Sequence, residues 1–226
     1  MSSKTIFGII LVLPLLPMLI SVCMTPSAGD AGTVYIKPNG DVDPSTAPIQ
    51  RAGSLYTFAG NVFCEIVIQR DNILVDGAGY SVQGTGNGTG LYISQRSNVM
   101  IKNLEIKQFL YGIKLESSSY SNVSNSNASN SNFTNNVVGV EVDGSSNNNI
   151  FRNQLTNCSF DVKLYGSSNY NNIFDNNATD SHSDGITLYG TCQYNIVSRN
   201  ILTNTSDGIA LFDSSNNTIS ANQIAF

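Results

Sequence analysis

Asp184 Gly185 Ile186 Thr187 Leu188 Tyr189 is followed 23 residues later by Asp207 Gly208 Ile209 Ala210 Leu211 Phe212. Both segments place a small residue before an apolar, any, apolar run. The run recurs upstream at Gly90 to Ile93, Gly112 to Leu115, Gly139 to Val142 and, led by Asp161, at Val162 to Leu164. The steps between the six starts are 22, 27, 22, 24 and 23 residues. In the last four repeats a second apolar position follows at Ile150, Ile173, Val197 and Ile219. An Asn stands three residues later, at Asn153, Asn176, Asn200 and Asn222, and a third apolar position two residues after it, at Leu155, Ala178, Leu202 and Ile224. Self-similarity at a fixed period is the signature of a repeat architecture.

Apolar residues alternate along each short segment, so the segments are strands and not helices. Three strands and three polar corners in a step of about 23 residues predict one coil of a parallel β-helix, each coil bonding to the next at about 4.8 Å. A leucine-rich repeat has a similar period but needs more Leu positions and a helical return segment, and both are missing. Ile113, Val140, Val162, Ile186 and Ile209 are expected to form one inward file. Asn153, Asn176, Asn200 and Asn222 are expected to stack as a structural ladder, because a carboxamide can satisfy a buried corner in its own coil and bond the next. The third repeat is longer by about five residues, which predicts a bulging loop over Val123 to Asn132. Thr33 to Ile36, Cys64 to Ile68 and Ile73 to Val75 read as strands of a capping and first-coil region over 33–89, before the repeats of 90–226. The pattern ends inside a coil at Ile224, Ala225 and Phe226, so the repeats are expected to be truncated there.

In the 226 residues only 12% are charged, 41% are hydrophobic and the net charge is −5. Nucleic-acid binding needs clustered Lys and Arg, and this chain has no such cluster. Lys4, the apolar run from Ile6 to Ile20 and the small residues Ser27, Ala28 and Gly29 lay out residues 1–28 as a signal peptide or membrane-anchor helix. The expected location is therefore extracellular or at the cell surface, with membrane contact only through that segment. Among many N-glycosylation sequons, Asn122, Asn127 and Asn132 fall on the expected loop. Cys64, Cys158 and Cys192 are odd in number beyond the leader and cannot all pair with one another.

The repeats, together with Tyr35 Ile36 Lys37 Pro38 Asn39 Gly40, the stretch Arg70 to Tyr80 and Ser97 Asn98 Val99, resemble archaeal surface proteins with NosD-like right-handed β-helix domains. The resemblance implies an all-β, right-handed parallel β-helix of about six to seven coils. It leaves activity open, since carbohydrate-binding proteins, sugar hydrolases, lyases and copper accessory proteins share the architecture. Copper transfer would call for clustered Met, His or Cys, and the chain beyond Met24 has one His, dispersed Cys and only Met100.

Function must then come from sites. The outward third position of each repeat gives Tyr92, Lys114, Glu141, Lys163, Thr187 and Ala210, which predicts Lys over Glu over Lys pairing and no convergent acids on that column. Asp184 and Asp207 should sit on neighbouring coils, where like charges repel. Asp180 and His182, in the same corner, are weak catalytic candidates with them, and a calcium or other cation at Asp184 and Asp207 would relieve the repulsion. Asn204 Thr205 Ser206 Asp207 is similar to an Asn-Thr-Asp motif of β-helix polygalacturonases, but Ser206 interrupts it. Asp180 Ser181 His182 Ser183 Asp184 is similar to the Asp-Pro-His-Asp of uronate epimerases, but lacks its proline and spacing. Tyr165, Tyr189 and Phe212 form one aromatic column and Tyr170 with Tyr194 another, and exposed rings of this kind bind sugars. These features favour a noncatalytic scaffold presenting its corners to glycans or cell-surface proteins without a cofactor. A polysaccharide hydrolase, lyase or uronate epimerase is the alternative.

Overall fold

The computed structural model describes residues 32–124, 127–129 and 138–226. Among them the chain forms no helix and winds as a right-handed β-solenoid of about seven turns. Each turn gives one strand to each of three parallel sheets. The first sheet contains Thr89–Ser94, Tyr111–Glu116, Val138–Asp143, Phe160–Tyr165, Asp184–Tyr189 and Asp207–Phe212. The second runs through Val99–Lys102, Asn122–Ser124, Asn149–Phe151, Asn172–Phe174, Ile196–Ser198 and Thr218–Ser220. The third runs through Glu105–Lys107, Asn127–Ser129, Gln154–Thr156, Asn177–Thr179, Ile201–Thr203 and Gln223–Ala225.

The expected inward file exists. Leu91, Ile113, Val140, Val162, Ile186 and Ile209 follow one another in register from coil to coil. The first five are at most 2% exposed and Ile209 packs against them at the edge of the core. Burying one such side chain contributes about 1.5–3 kcal/mol, which is why the file tolerates only Leu, Ile and Val. The glycine that precedes it also faces inward. A Cβ on Gly139 would lie 2.6 Å from Leu155 Cδ2 and 2.7 Å from the Asp161 carbonyl oxygen.

The Asn ladder is present with full hydrogen bonding. Asn153 Nδ2 donates to Asn176 Oδ1, Asn176 to Asn200 and Asn200 to Asn222, each at 3.0 Å. The backbone N–H of Asn153, Asn176 and Asn200 donates to the same oxygens at 3.1, 3.0 and 2.9 Å. A second ladder, not expected from the sequence, links Asn148, Asn171, Asn195 and Asn217 at 3.1, 3.2 and 3.0 Å. Every residue immediately before a ladder Asn has positive φ, from Asn147, Tyr170, Tyr194 and Asn216 to Arg152, Asp175, Arg199 and Ala221. A non-glycine residue in that region costs of order 1–3 kcal/mol, and the ladder bonds hold each corner there.

The expected loop over Val123 to Asn132 is corrected. Asn122–Ser124 and Asn127–Ser129 are strands of the second and third sheets, paired in register with the coils on either side. The extra length falls instead at 130–137, so Asn132 lies outside the described residues, as does the signal or anchor segment of 1–28. The reason is the two ladders of backbone bonds, which fix strand positions before spare residues can be accommodated. At the amino end Val34–Ile36 pairs parallel with Ile66–Ile68, which in turn pairs parallel with Leu91 to Ile93. Val42–Asp43 runs antiparallel on the edge strand and Ile49–Ala52 runs antiparallel to Leu55–Phe58, which covers backbone that would otherwise be open.

A candidate glycan groove on the first sheet

Gly185 and Ile186 both face inward, so the outward residues of that strand are Asp184, Thr187 and Tyr189 and not a strict alternate set. The Thr187 hydroxyl confirms the shared face by donating to Asp184 Oδ2 at 3.0 Å. The same geometry in each coil makes three outward columns. One carries Tyr111, Val138, Phe160, Asp184 and Asp207, the next Tyr92, Lys114, Glu141, Lys163, Thr187 and Ala210, and the last Ser94, Glu116, Asp143, Tyr165, Tyr189 and Phe212.

Over the last three coils these columns form a groove of about 440 Å³. Tyr165, Tyr189 and Phe212 make one wall, Phe160 and Lys163 the amino-terminal side, and Ser183, Asp184 and Thr187 the polar floor. Tyr165 and Tyr189 stack at 5.6 Å and 10°, while Phe212 lies 6.1 Å from Tyr189 and is tilted by 56°. The Lys163 ammonium sits 5.6 Å from the Phe160 ring centroid and 5.5 Å from that of Tyr165. Such a surface offers rings for the apolar face of a sugar and donors and acceptors for its hydroxyls.

Toward the amino end the same face is charged. Lys114 Nζ lies 3.0 Å from Glu141, 3.6 Å from Asp143 and 3.9 Å from Glu116. Burial alone would lower the Lys114 ammonium, but the Glu141 hydrogen bond and the three carboxylates hold it above its ordinary value. The Tyr92 hydroxyl donates to Glu116 Oε2, and the Ser94 hydroxyl donates to the same oxygen at 3.1 Å. The Tyr92 bond holds the Glu116 carboxyl below the usual range and pushes the Tyr92 phenol up. The third-position column carries Glu141 as its single acid, and Glu116 and Asp143 reach Lys114 from the neighbouring column. One expectation is corrected. The Lys, Glu, Lys alternation breaks after Glu141, which pairs with Lys114 and leaves Lys163 on the rings.

Of the expected candidates, Tyr165, Tyr189, Phe212 and Asp184 meet in the groove. Asp207 is in register with Asp184 but exposed beyond it. Asp180 is exposed and accepts a hydrogen bond from Asn204 Nδ2 at 2.7 Å, and His182 is exposed at the same corner. Tyr170 and Tyr194 stack at 5.2 Å and 9° on a different corner, outside the groove. Among the described residues no group of three or more His, Cys, Asp or Glu side chains could hold a metal ion. The groove residues missed in the sequence, Phe160, Ser183 and Lys163 in its ring-bound role, were signalled by their offset from the small residue of each repeat.

A further acid lies inside the coil. Asp161 occupies the place held by glycine in the other five repeats and is fully buried. Ser181 Oγ donates to Asp161 Oδ2, while Oδ1 has no hydrogen-bond partner. Burial pushes this carboxyl well above the usual carboxylate range, and burial with the Asp161 charge pushes the Cys158 thiol up.

Three parallel sheets, an inward aliphatic file and an outward grooved face define the chain as a right-handed parallel β-solenoid. A family model described as the right handed beta helix region matches residues 89–225, and the chain belongs to that family. By sequence alone no curated protein is detectably similar. Among solved structures, a mutant of the periplasmic alginate epimerase AlgG aligns with a TM-score of 0.57 at 15% identity, over 76% of this chain and 64% of that protein. A mutant tailspike protein of E. coli bacteriophage HK620 aligns with a TM-score of 0.57 at 13% identity, over 74% and 38%. Another mutant of that tailspike, solved in complex with a pentasaccharide, aligns at 0.55 and 12% identity, over 74% and 39%. This chain thus spans less than two thirds of each of these proteins, and the likeness is one of fold.

Proposed function

We propose that the protein is an exported, noncatalytic β-helix that binds polysaccharide at the cell surface through the groove of its first sheet. The observation that carries this reading is the wall of Tyr165, Tyr189 and Phe212 over a floor of Ser183, Asp184 and Thr187. The leader-like pattern from Lys4 to Gly29 and the resemblance to archaeal surface proteins support the location, and Asn122, Asn127 and Asn132 are the glycosylation candidates. Neighbouring surface proteins are the alternative partner. A glycan array followed by calorimetry tests the reading. Binding is expected in the millimolar to micromolar range, lost on Tyr189→Ala and retained on Tyr194→Ala. An array without a single glycan hit overturns it.

A polysaccharide-processing enzyme is the second reading, and the carboxylates of Glu116, Glu141 and Asp143 around Lys114 favour it. It requires product to accumulate from some polysaccharide on prolonged incubation and to stop accumulating in Glu116→Gln. Binding without turnover across the same substrates leaves the scaffold reading standing.

A further inference from the structure

Resting on the glycan reading, we infer that the groove selects polyanionic glycans, with Lys163 as the residue that reads the carboxylate of a uronic acid or a sulfate ester. Seven of the ten Lys and Arg side chains among the described residues, Lys37, Arg51, Arg96, Lys102, Lys107, Lys114 and Arg199, are ion-paired within the chain. Lys163 is not, although Glu141 is its in-register neighbour on the next coil. Glu141 is already held by Lys114 at 3.0 Å. The other two cations without an ion pair are elsewhere. Arg70 packs over Gly40, and Arg152 lies close enough to Asp175 to lower that carboxyl.

The rings of Phe160 and Tyr165 hold the Lys163 ammonium at 5.6 and 5.5 Å. An aromatic face attracts a cation without neutralising it, so the charge is positioned and remains available to an anion. The one carboxylate that lines the groove does not cancel it. Asp184 is 8% exposed, accepts from Thr187 at 3.0 Å and forms no ion pair with Lys163. A ligand bearing both an acidic group and hydroxyls on one ring meets both: its anion faces Lys163 and its hydroxyls face Asp184, Ser183 and Thr187. A neutral sugar would leave the ammonium facing water-poor aromatic surface without a counter-charge.

The experiment compares full-length protein binding to oligogalacturonate and its carboxyl-reduced neutral form, and to a sulfated galactan oligosaccharide and its desulfated form. Since a charge-assisted hydrogen bond contributes about 1.5–3 kcal/mol, the preferred charged member should bind about 10- to 100-fold tighter than its neutral partner. That preference should shrink with added salt. Which pair shows it separates carboxylate from sulfate. Lys163→Gln should bring the charged-to-neutral ratio close to one and Lys163→Arg should restore it. Lys102→Gln, the same charge change on a lysine paired with Asp76 on another sheet, should leave the ratio intact. Equal binding of charged and neutral glycans overturns the inference and leaves the glycan reading in place. A preference that survives Lys163→Gln removes Lys163 as the reader. No binding to any glycan overturns both.

Discussion

Replacing Asp161 by Asn should change how the stability of the solenoid depends on pH more than it changes the stability itself. The carboxyl is fully buried, has one bonded oxygen and one orphan, and is pushed up by burial. In the unfolded chain an Asp releases its proton near pH 3.9. Above that pH the unfolded state loses a proton that the folded state retains, so stability falls as pH rises until the folded value is reached. The stability is complete below about pH 3.9 and is lost at about 1.4 kcal/mol per pH unit. Asn cannot titrate, and its shape keeps the Ser181 contact available. Between pH 4 and pH 6 the difference in unfolding free energy should therefore move in favour of Asp161→Asn, by up to about 1.4 kcal/mol for each pH unit between the unfolded and the folded value. Urea unfolding followed by circular dichroism, on both proteins at matched pH, measures it. The raised carboxyl of Glu65 acts in the same direction in both proteins and cancels in the difference. Asp76 and Glu116 are lowered, so their contribution is lost as pH falls through the ordinary carboxylate range, alike in both proteins, and it too cancels in the difference. Parallel stability curves for the two proteins from pH 4 to 6 would refute the argument. Should the variant not fold, the carbon-13 shift of the Asp161 carboxyl in the native protein reports the same titration.

Asn176→Ala removes the donors to the Ile150 carbonyl at 2.9 Å and to Asn200, and strands the Asn153 backbone N–H. At about 1–3 kcal/mol for each buried orphan, it should cost about 2–4 kcal/mol in urea unfolding, against under about 1 kcal/mol for the half-buried Asn177→Ala. Equal effects would mean that the ladder is decorative. Lys114→Gln leaves the buried Glu141 without its ion pair and should cost about 1–3 kcal/mol, whereas Lys37→Gln breaks an exposed pair and should cost under about 1 kcal/mol. Gly112→Ala places a Cβ 2.5 Å from the Gly139 carbonyl oxygen, which is backbone and cannot move aside, so a loss of about 1–3 kcal/mol is expected in the same assay.

How legible each feature is in the sequence follows from how many residue types its position admits. The inward file from Leu91 to Ile209 accepts only aliphatic side chains, and the ladder from Asn153 to Asn222 accepts a carboxamide because a corner donor and a corner acceptor must be met at once. Both therefore repeat and can be read directly. The second ladder is built on the same principle and recurs five residues upstream of the first, but most of its members stand in Asn runs such as Asn147 to Asn149, Asn171 to Asn172 and Asn216 to Asn217, where composition does not say which Asn turns inward. The groove is legible by one wall only. Tyr165, Tyr189 and Phe212 stand at a constant offset, but two successive inward residues, Gly185 and Ile186, put Asp184 and Thr187 on one face. A strict two-residue alternation assigns Asp184 and Thr187 to opposite faces. The charged cluster is hidden for a different reason: strict alternation already puts Glu116 beside Lys114 and Asp143 beside Glu141 on one face, but reading a single column at a time leaves Glu116 and Asp143 out. Asp161 stands in full view as the one repeat start that is not glycine. What the sequence cannot convey is that its side chain turns inward with the glycines, and that inward turn converts an ordinary surface carboxylate into a proton-binding group inside the core.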